Sequence, residues 1–300
     1  MSEKKRSQVA DINRSLYDFT KSEEGYERYA DGLPPEIVRT ISAKKDEPEW
    51  MLQFRLSALE TYHTRDMASN WGPSITGLDM DHISTYVSPK TKQSNNWDDV
   101  PEDIRDTFER LGIPKAEAES LAGVGAQYDS EIVYHNMRKE VAEQGVIYTT
   151  IEDALHDPKW EPVVKQYFGT LIPPADHKFA ALHYAVWSGG SFVYVPTGVS
   201  LDYPLQSYFR LNAQGAGQFE HTLIIVEKGA DLHFIEGCSA PKYYAANLHA
   251  GAVELFVKDG ARLRYSTIEN WSKNMYNLNT KRALVGADAR MEWVSGSFGS

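Results

Sequence analysis

VPTGVSLDY (195–203), VEKGADLHF (226–234) and VKDGARLRY (257–265) are three copies of one phrase. Their glycines, Gly198, Gly229 and Gly260, stand 31 residues apart. A fourth copy, GADARMEW (286–293), follows at a shortened interval, Ala261 to Ala289 being 28 residues. In the first three copies the pattern is Val-x-x-Gly-(Ala or Val)-x-Leu-polar-aromatic. Glycine serves a turn, and the leucine and aromatic positions, two apart, face one side of a strand. A repeat of this length written in strand residues, with no helical spacing inside it, predicts a solenoid of stacked coils, a parallel β-helix. An antiparallel sandwich of similar hairpins is the alternative, but hairpins require no fixed interval.

Stacked coils turn the repeat into a map, because residues one period apart lie about 4.8 Å apart along the axis. Leu201, Leu232, Leu263 and Met291 form an apolar column, and Tyr203, Phe234, Tyr265 and Trp293 an aromatic one. Asp202, His233, Arg264 and Glu292 lie between them on the other face, all polar. Core and solvated surface account for these columns. The same register carried to Cys238, the only cysteine of the chain, places Ser207 one rung below and Glu269 one rung above. Tyr208 to Arg210 and Asn270 to Trp271 lie nearby, and Gly237 can bend the strand. In that setting Arg210 would lower the thiol pKa and Glu269 would oppose it. A lone cysteine in a reducing compartment is ordinarily a small buried hydrophobe. The polar neighbours and the flanking Gly237 and Pro241 make a reactive thiol an equal reading.

Upstream of Gly189-Gly190 the grammar is different. Residues 1–34 are polar and read as a loosely ordered N-terminus. Residues 35–185 read as mostly helical, with an extended loop near 70–100 rich in Gly, Pro, Asn and Ser. Residues 186–300 are the β-helix core, incomplete, so the fold class is α+β. Within the helical region, 47–64 sets Met51, Phe54, Ala58 and Tyr62 in one row and Leu52, Leu56 and Leu59 in another. Residues 101–123 read as two short helices, opened by Pro101 and Pro114 and divided at Gly112. Thr150 and Asp157 read as caps, and Asp176 as the cap of a last helix over 176–187.

The chain has 300 residues, 42% of them hydrophobic, enough for a sizeable core. With 31 basic and 42 acidic residues its net charge is −11, and the pI is about 5.3. That balance argues against nucleic acid or an anionic membrane as a partner. No apolar run approaches a membrane span, and the first residues hold no apolar signal segment. One cysteine excludes an intrachain disulfide framework. The chain reads as soluble and cytoplasmic. No His-Glu-x-x-His, paired-cysteine or Walker motif is present, so neither a metal site nor ATP hydrolysis is expected. The nine histidines read as surface or satisfied core residues. Gly123-Val-Gly125 lacks the third glycine of a dinucleotide fingerprint. Asp129 and Glu131 read as a solvated face rather than a catalytic pair.

Several long segments, in order, resemble the SufB/SufD family of iron–sulfur cluster assembly proteins, and within it the SufB scaffold subunits. They are GVGAQYDSEIVYHNM (123–137), KFAALHYAVWSGGSFVYVPTGV (178–199), YFRLNAQGAGQFEHTLIIVEKGA (208–230), EGCSAP (236–241), IENW (268–271) and TKR (280–282). The resemblance runs from about residue 35 to the end. It implies a helical N-terminal region followed by a right-handed parallel β-helix. It also implies a non-enzymatic scaffold working with SufD and with SufC, the ATPase of the complex. A cysteine desulfurase and its sulfur-transfer partner would supply persulfide, a nascent iron–sulfur cluster would be the product, and reduced flavin is associated with such complexes.

By motif, Cys238 corresponds to the family's sulfur acceptor. Arg210 and Asn212 in YFRLN, Trp271 in NW and Lys281 in TKR correspond to positions supporting the sulfur path. Glu269 departs from the family's usual glutamine. The family chain also continues well beyond residue 300, with a second cysteine and a His-Glu pair, so the resemblance implies a fragment. A cluster takes about four ligands, mostly thiolates, and one cysteine cannot supply them. The fragment alone is therefore expected to hold no stable cluster and to be inactive. Two other readings remain: a SufD-like interaction subunit with a structural Cys238, and a β-helix carbohydrate-active enzyme. Against the enzyme stands the absence of a secretory signal and of stacked acids.

Overall fold

The computed structural model describes residues 18–29, 32–67, 72 and 74–298. The polar segment 1–17, expected to be loosely ordered, lies outside the described residues. Strands β1 (Glu27–Tyr29) and β2 (Tyr86–Ser88) pair with each other. Helices α1 (Pro35–Lys44), α2 (Glu49–Thr64), α3 (Glu102–Arg110) and α4 (Ile113–Ser120) follow the helical spacing of the sequence. Gly112 divides α3 from α4 in a left-handed conformation, φ +77°. Next come β3 (Gly123–Tyr128), β4 (Glu131–Met137), α5 (Lys139–Ala142), β5 (Ile147–Thr149), α6 (Ile151–His156), α7 (Glu161–Tyr167) and α8 (Lys178–Val186). Thr150 caps α6 through the N–H of Asp153. Asp157 instead follows the C-terminus of α6 and takes the N–H of Lys159. His177, not Asp176, caps α8: its Nδ1 accepts the N–H of Ala180.

Thereafter the chain is strands: β6 (Gly190–Val195), β7 (Leu205–Arg210), β8 (Gly217–Gln218), β9 (His221–Val226), β10 (Asp231–Ser239), β11 (Asn247–His249), β12 (Ala252–Val257), β13 (Arg262–Asn270), β14 (Met275–Asn277), β15 (Thr280–Val285) and β16 (Arg290–Ser297). They form a parallel solenoid with three faces. The first face runs β16-β13-β10-β7-β3-β4, the second β15-β12-β9-β6-β5, and the third β14-β11-β8. Pairing follows the predicted interval: Asp231 lies opposite Arg262 and His221 opposite Ala252, 31 residues on, and Arg262 opposite Arg290, 28 on. Gly198, Gly229 and Gly260 all hold positive φ, +66° to +73°, at the corners, where a side chain would strain the backbone.

The fold also shows what the helical region adds. Residues 123–137 form a hairpin whose first strand continues the first face, with Gly123 opposite Leu205 and Tyr128 opposite Arg210. Strand β5 likewise extends the second face beside β6. Four packing regions result, three of them along the solenoid walls and the fourth around Cys238. Val193, Ile224, Leu232, Phe234, Leu255 and Tyr265 fill the lumen. Helices α1, α2 and α8 lie against Phe192, Leu223 and Ile225 on the outer side of the second face. That double cover is why β9 reads HTLIIV, apolar on both sides. Phe108 of α3 and Tyr128 of the hairpin cover the outer side of the first face, against Tyr208 and Ile235. Arg55, wholly buried, ties α2 to α8 through Glu47 and the carbonyls of Ala185 and Trp187. No helix among the described residues is long and apolar enough to cross a membrane.

One column departs from the map. Ser200 sits opposite Asp231 but Leu205 opposite Phe234, so two extra residues bulge out between them. Leu205, not Tyr203, stacks under Phe234, and Tyr203 is 50% exposed. The apolar and aromatic columns hold from β10 upward: Leu232, Leu263, Met291 and Phe234, Tyr265, Trp293.

Candidate functional site: a charged web in the solenoid lumen

The bulge sets the register at Cys238. Glu269 lies opposite it on β13, as the repeat predicts. On β7 its neighbour is Phe209, not Ser207, which instead faces Glu236. Gly237 does not break the strand. A Cβ there would come within 2.5 Å of the Tyr208 ring, so glycine permits the close approach.

Strand alternation then divides the site in two. Phe234, Glu236 and Cys238 share the lumen side of β10, and Ser239 faces outward with Arg210 beside it. In the lumen, Lys281 enters from β15, opposite Val253. Its ammonium donates to Glu236 Oε1 at 3.1 Å and Thr267 Oγ1 at 2.9 Å, and lies 3.7 Å from Glu269 Oε1. Tyr265 donates its hydroxyl to the other oxygen of Glu236. Glu269 also accepts Asn277 Nδ2 at 3.0 Å. A second ion pair, His249 with Glu220, sits alongside, and the His249 ring packs against Trp271 at 4.7 Å. Cys238 itself is buried among Phe209, Leu211, Ala240 and Trp271.

Charge states follow from this geometry. Burial first, then Glu236 and Glu220, push the Cys238 thiol well above its ordinary pKa, and Lys281 draws it part way back. Burial opposes the Lys281 charge, yet Glu236, Cys238 and Glu269 together raise its pKa. His249 is likewise raised: burial opposes its charge, and Glu220, Glu269 and Glu236 together outweigh it. The cation at the thiol is thus Lys281. Arg210, expected to lower the thiol pKa, stands on the other side of the sheet, and the thiol is raised.

Arg210 and Asn212 belong to a separate cluster outside the first face. Arg210, fully buried, donates to Ser239 Oγ at 3.1 Å and to the Phe19 carbonyl at 2.7 Å. Asp129, at the turn of the β3–β4 hairpin with φ +53°, staples this segment. Its N–H donates to the Arg210 carbonyl, and its Oδ1 accepts the N–H groups of Asn212 (2.6 Å) and Ala213 (2.8 Å). Burial, working against those two bonds, lifts its carboxyl to about 7. The solvated face expected at Asp129 is therefore a buried junction, while Glu131 pairs with Lys45 at 2.7 Å.

Sequence reasoning found four lumen residues, Cys238, Glu269, Trp271 and Lys281, but not Glu236, Thr267, Glu220 or His249. Glu236 was legible: it stands two before Cys238, hence on its face. Glu220 arrives from the corner before β9 and His249 from β11 on the third face, neither of which the repeated phrase covers. Among the described residues no three His, Cys, Asp or Glu side chains gather as a metal-holding group.

A parallel solenoid with a helical flank and a charged, cysteine-bearing lumen defines the class. Residues 209–300 match the family model described as SUF system FeS cluster assembly, SufBD core domain. Two relatives, from Staphylococcus saprophyticus and Staphylococcus aureus, are both named iron–sulfur cluster assembly SufBD family proteins. Each is 49% identical over 290 residues, 97% of this chain and 62% of the relative. The chain is thus similar to SufBD family proteins, and it spans about three fifths of the length of these curated relatives.

Proposed function

We propose that the chain is a SufB-type component of an iron–sulfur cluster assembly scaffold, and that Cys238 accepts sulfur as a persulfide. The transfer joins Cys238 Sγ to the terminal sulfur of a donor persulfide and breaks the donor S–S bond. The Cys238 proton leaves, the donor departs as a thiolate, and that thiolate takes up a proton, so no net oxidation occurs. Lys281 is suited to hold the anion that forms at Cys238, while Glu236 and Glu269 keep the resting thiol protonated until sulfur arrives. The observation that carries this reading is the half-buried Lys281 ammonium shared by two carboxylates on the thiol's own side of the sheet. Trp271 and Glu269 would border the sulfur path, with Arg210 and Asn212 serving it from outside the sheet.

In this reading the chain is a cytoplasmic scaffold without turnover of its own. Its partners are SufC, SufD and a cysteine desulfurase with its transfer protein, and ATP hydrolysis belongs to SufC. The nascent cluster is cargo, with ligands from beyond these 300 residues, since one thiolate is too few. A second reading, a SufD-like interaction subunit, gains from the apolar packing of Cys238 against Phe209, Leu211 and Trp271. Incubation with desulfurase, transfer protein, SufC, SufD and cysteine, followed by mass spectrometry, separates the two. A persulfide on Cys238, lost in Cys238→Ser, supports the acceptor; an unmodified Cys238 in the assembled complex supports the interaction subunit.

A further inference from the structure

Residues 19–24 cross the outer cluster with alternating burial. Phe19, Lys21 and Glu23 are half-buried, whereas Thr20, Ser22 and Glu24 are exposed. A period of two means an extended chain with one side turned to the protein. Each inward side chain meets a receptor. The Phe19 ring lies against the guanidinium groups of Arg110 and Arg210, 3.8 and 4.8 Å from its centroid. Lys21 pairs with Asp106. Glu23 accepts the N–H of Gln214 at 3.0 Å.

The backbone is read as well. The Lys21 N–H donates to Asn212 Oδ1 at 3.0 Å, and Asn212 Nδ2 donates to the Lys21 carbonyl at 3.3 Å. The side-chain amide thus pairs with a peptide group as a neighbouring strand would, and Arg210 adds a bond to the Phe19 carbonyl. Backbone pairing gives such a groove its grip, and alternate side chains give it selectivity. Partly exposed ion pairs and cation–π contacts are individually weak, so the segment can release.

We propose that Asn212, Arg210, Arg110 and Asp106 form a docking groove for an extended peptide of aromatic-x-basic-x-acidic pattern, and that Phe19–Glu23 fills it in cis as a releasable strap. A partner segment of that chemistry binds only when the strap is off, so its apparent affinity is reduced by the fraction of open grooves. The groove stands whether or not Cys238 accepts sulfur.

The test uses a fluorescent peptide of the sequence Asp-Phe-Thr-Lys-Ser-Glu-Glu and fluorescence anisotropy. The full chain is compared with a Phe19→Ala/Lys21→Glu variant, whose strap has lost its aromatic contact and faces Asp106 with like charge. The variant is expected to bind the peptide about tenfold more tightly or better, because more grooves are open. In Phe19→Ala/Lys21→Ala, whose strap carries no charge at that place, Asp106→Lys should weaken peptide binding, and a peptide carrying Glu in place of its Lys should restore it. Equal binding to the full chain and the variant would overturn the strap. Absence of binding to the variant, or indifference to the charge exchange, would overturn the groove.

Discussion

Two buried polar clusters lie on opposite sides of one strand, and they handle charge differently. In the lumen Glu236 and Glu269 share the ammonium of Lys281, and Glu220 has His249. Outside, Asp129 Oδ1 accepts two backbone N–H groups while Oδ2 is buried without a hydrogen-bond partner, and burial raises the carboxyl to about 7. Cys238 and Ser239 are adjacent in sequence yet belong to different clusters, because a strand sends successive side chains to opposite faces. Rung-to-rung proximity taken without regard to face therefore misassigned Arg210 to the thiol, and face assignment gives Lys281.

Removing the lumen cation breaks the comparison most severely. Lys281→Met leaves Glu236 buried without its counter-charge and is expected to cost about 4 kcal/mol in urea unfolding. Lys281→Met/Glu236→Gln should recover most of that loss. If the single variant is as stable as the native chain, the ion pair is not the lumen's support.

Asp129 differs in its dependence on backbone donors and on pH. Asp129→Ala strands the N–H groups of Asn212 and Ala213 and is expected to cost about 3 kcal/mol. Asp129→Asn keeps an acceptor oxygen and removes the charge. The native carboxyl holds its proton up to about pH 7, whereas the unfolded chain releases it near pH 4. Between those values the folded state binds more protons, so its stability falls as pH rises. Measured against Asp129→Asn, the native chain should lose stability from about pH 4 to about pH 7 and change little above. A difference independent of pH would remove Asp129 as the titrating group.

Two tyrosines of the repeated phrase give the smaller effects. Tyr265→Phe deletes a donor to the buried Glu236 and should cost about 1.5 kcal/mol in thermal or urea unfolding. Tyr203→Ser, at the same place in an earlier copy, should stay within about 0.5 kcal/mol, because the bulge turns Tyr203 outward. Equal losses at both would restore the unbroken aromatic column.

The coils were legible because Gly198, Gly229 and Gly260 answer a backbone requirement that only glycine meets cheaply. The opposition of Cys238 and Glu269 came with them. The bulge at Asp202 and Tyr203 was not legible, since these residues still spell the repeated phrase VPTGVSLDY and only the pairing of Leu205 with Phe234 makes them extra. The strands in 123–149 were hidden inside a helical region: β3 and β5 gain their stability from β7 and β6, distant in sequence. Of the site, Lys281 was named through resemblance alone. Its meeting with Glu236 depends on the shortened last coil, 28 residues between Val253 and Lys281.

Because Cys238 is the only cysteine, alkylation followed by intact-mass analysis reports on it alone. The decisive measurement is its alkylation rate against pH in the native chain, in Lys281→Met and in Arg210→Gln. With burial and Glu236 holding the thiol protonated, the native rate should rise without a plateau through pH 9. Lys281→Met should slow it at every pH, and Arg210→Gln should leave the profile shape unchanged. A plateau near pH 8, or a larger shift from Arg210→Gln than from Lys281→Met, would contradict the assignment of Cys238 to the lumen web.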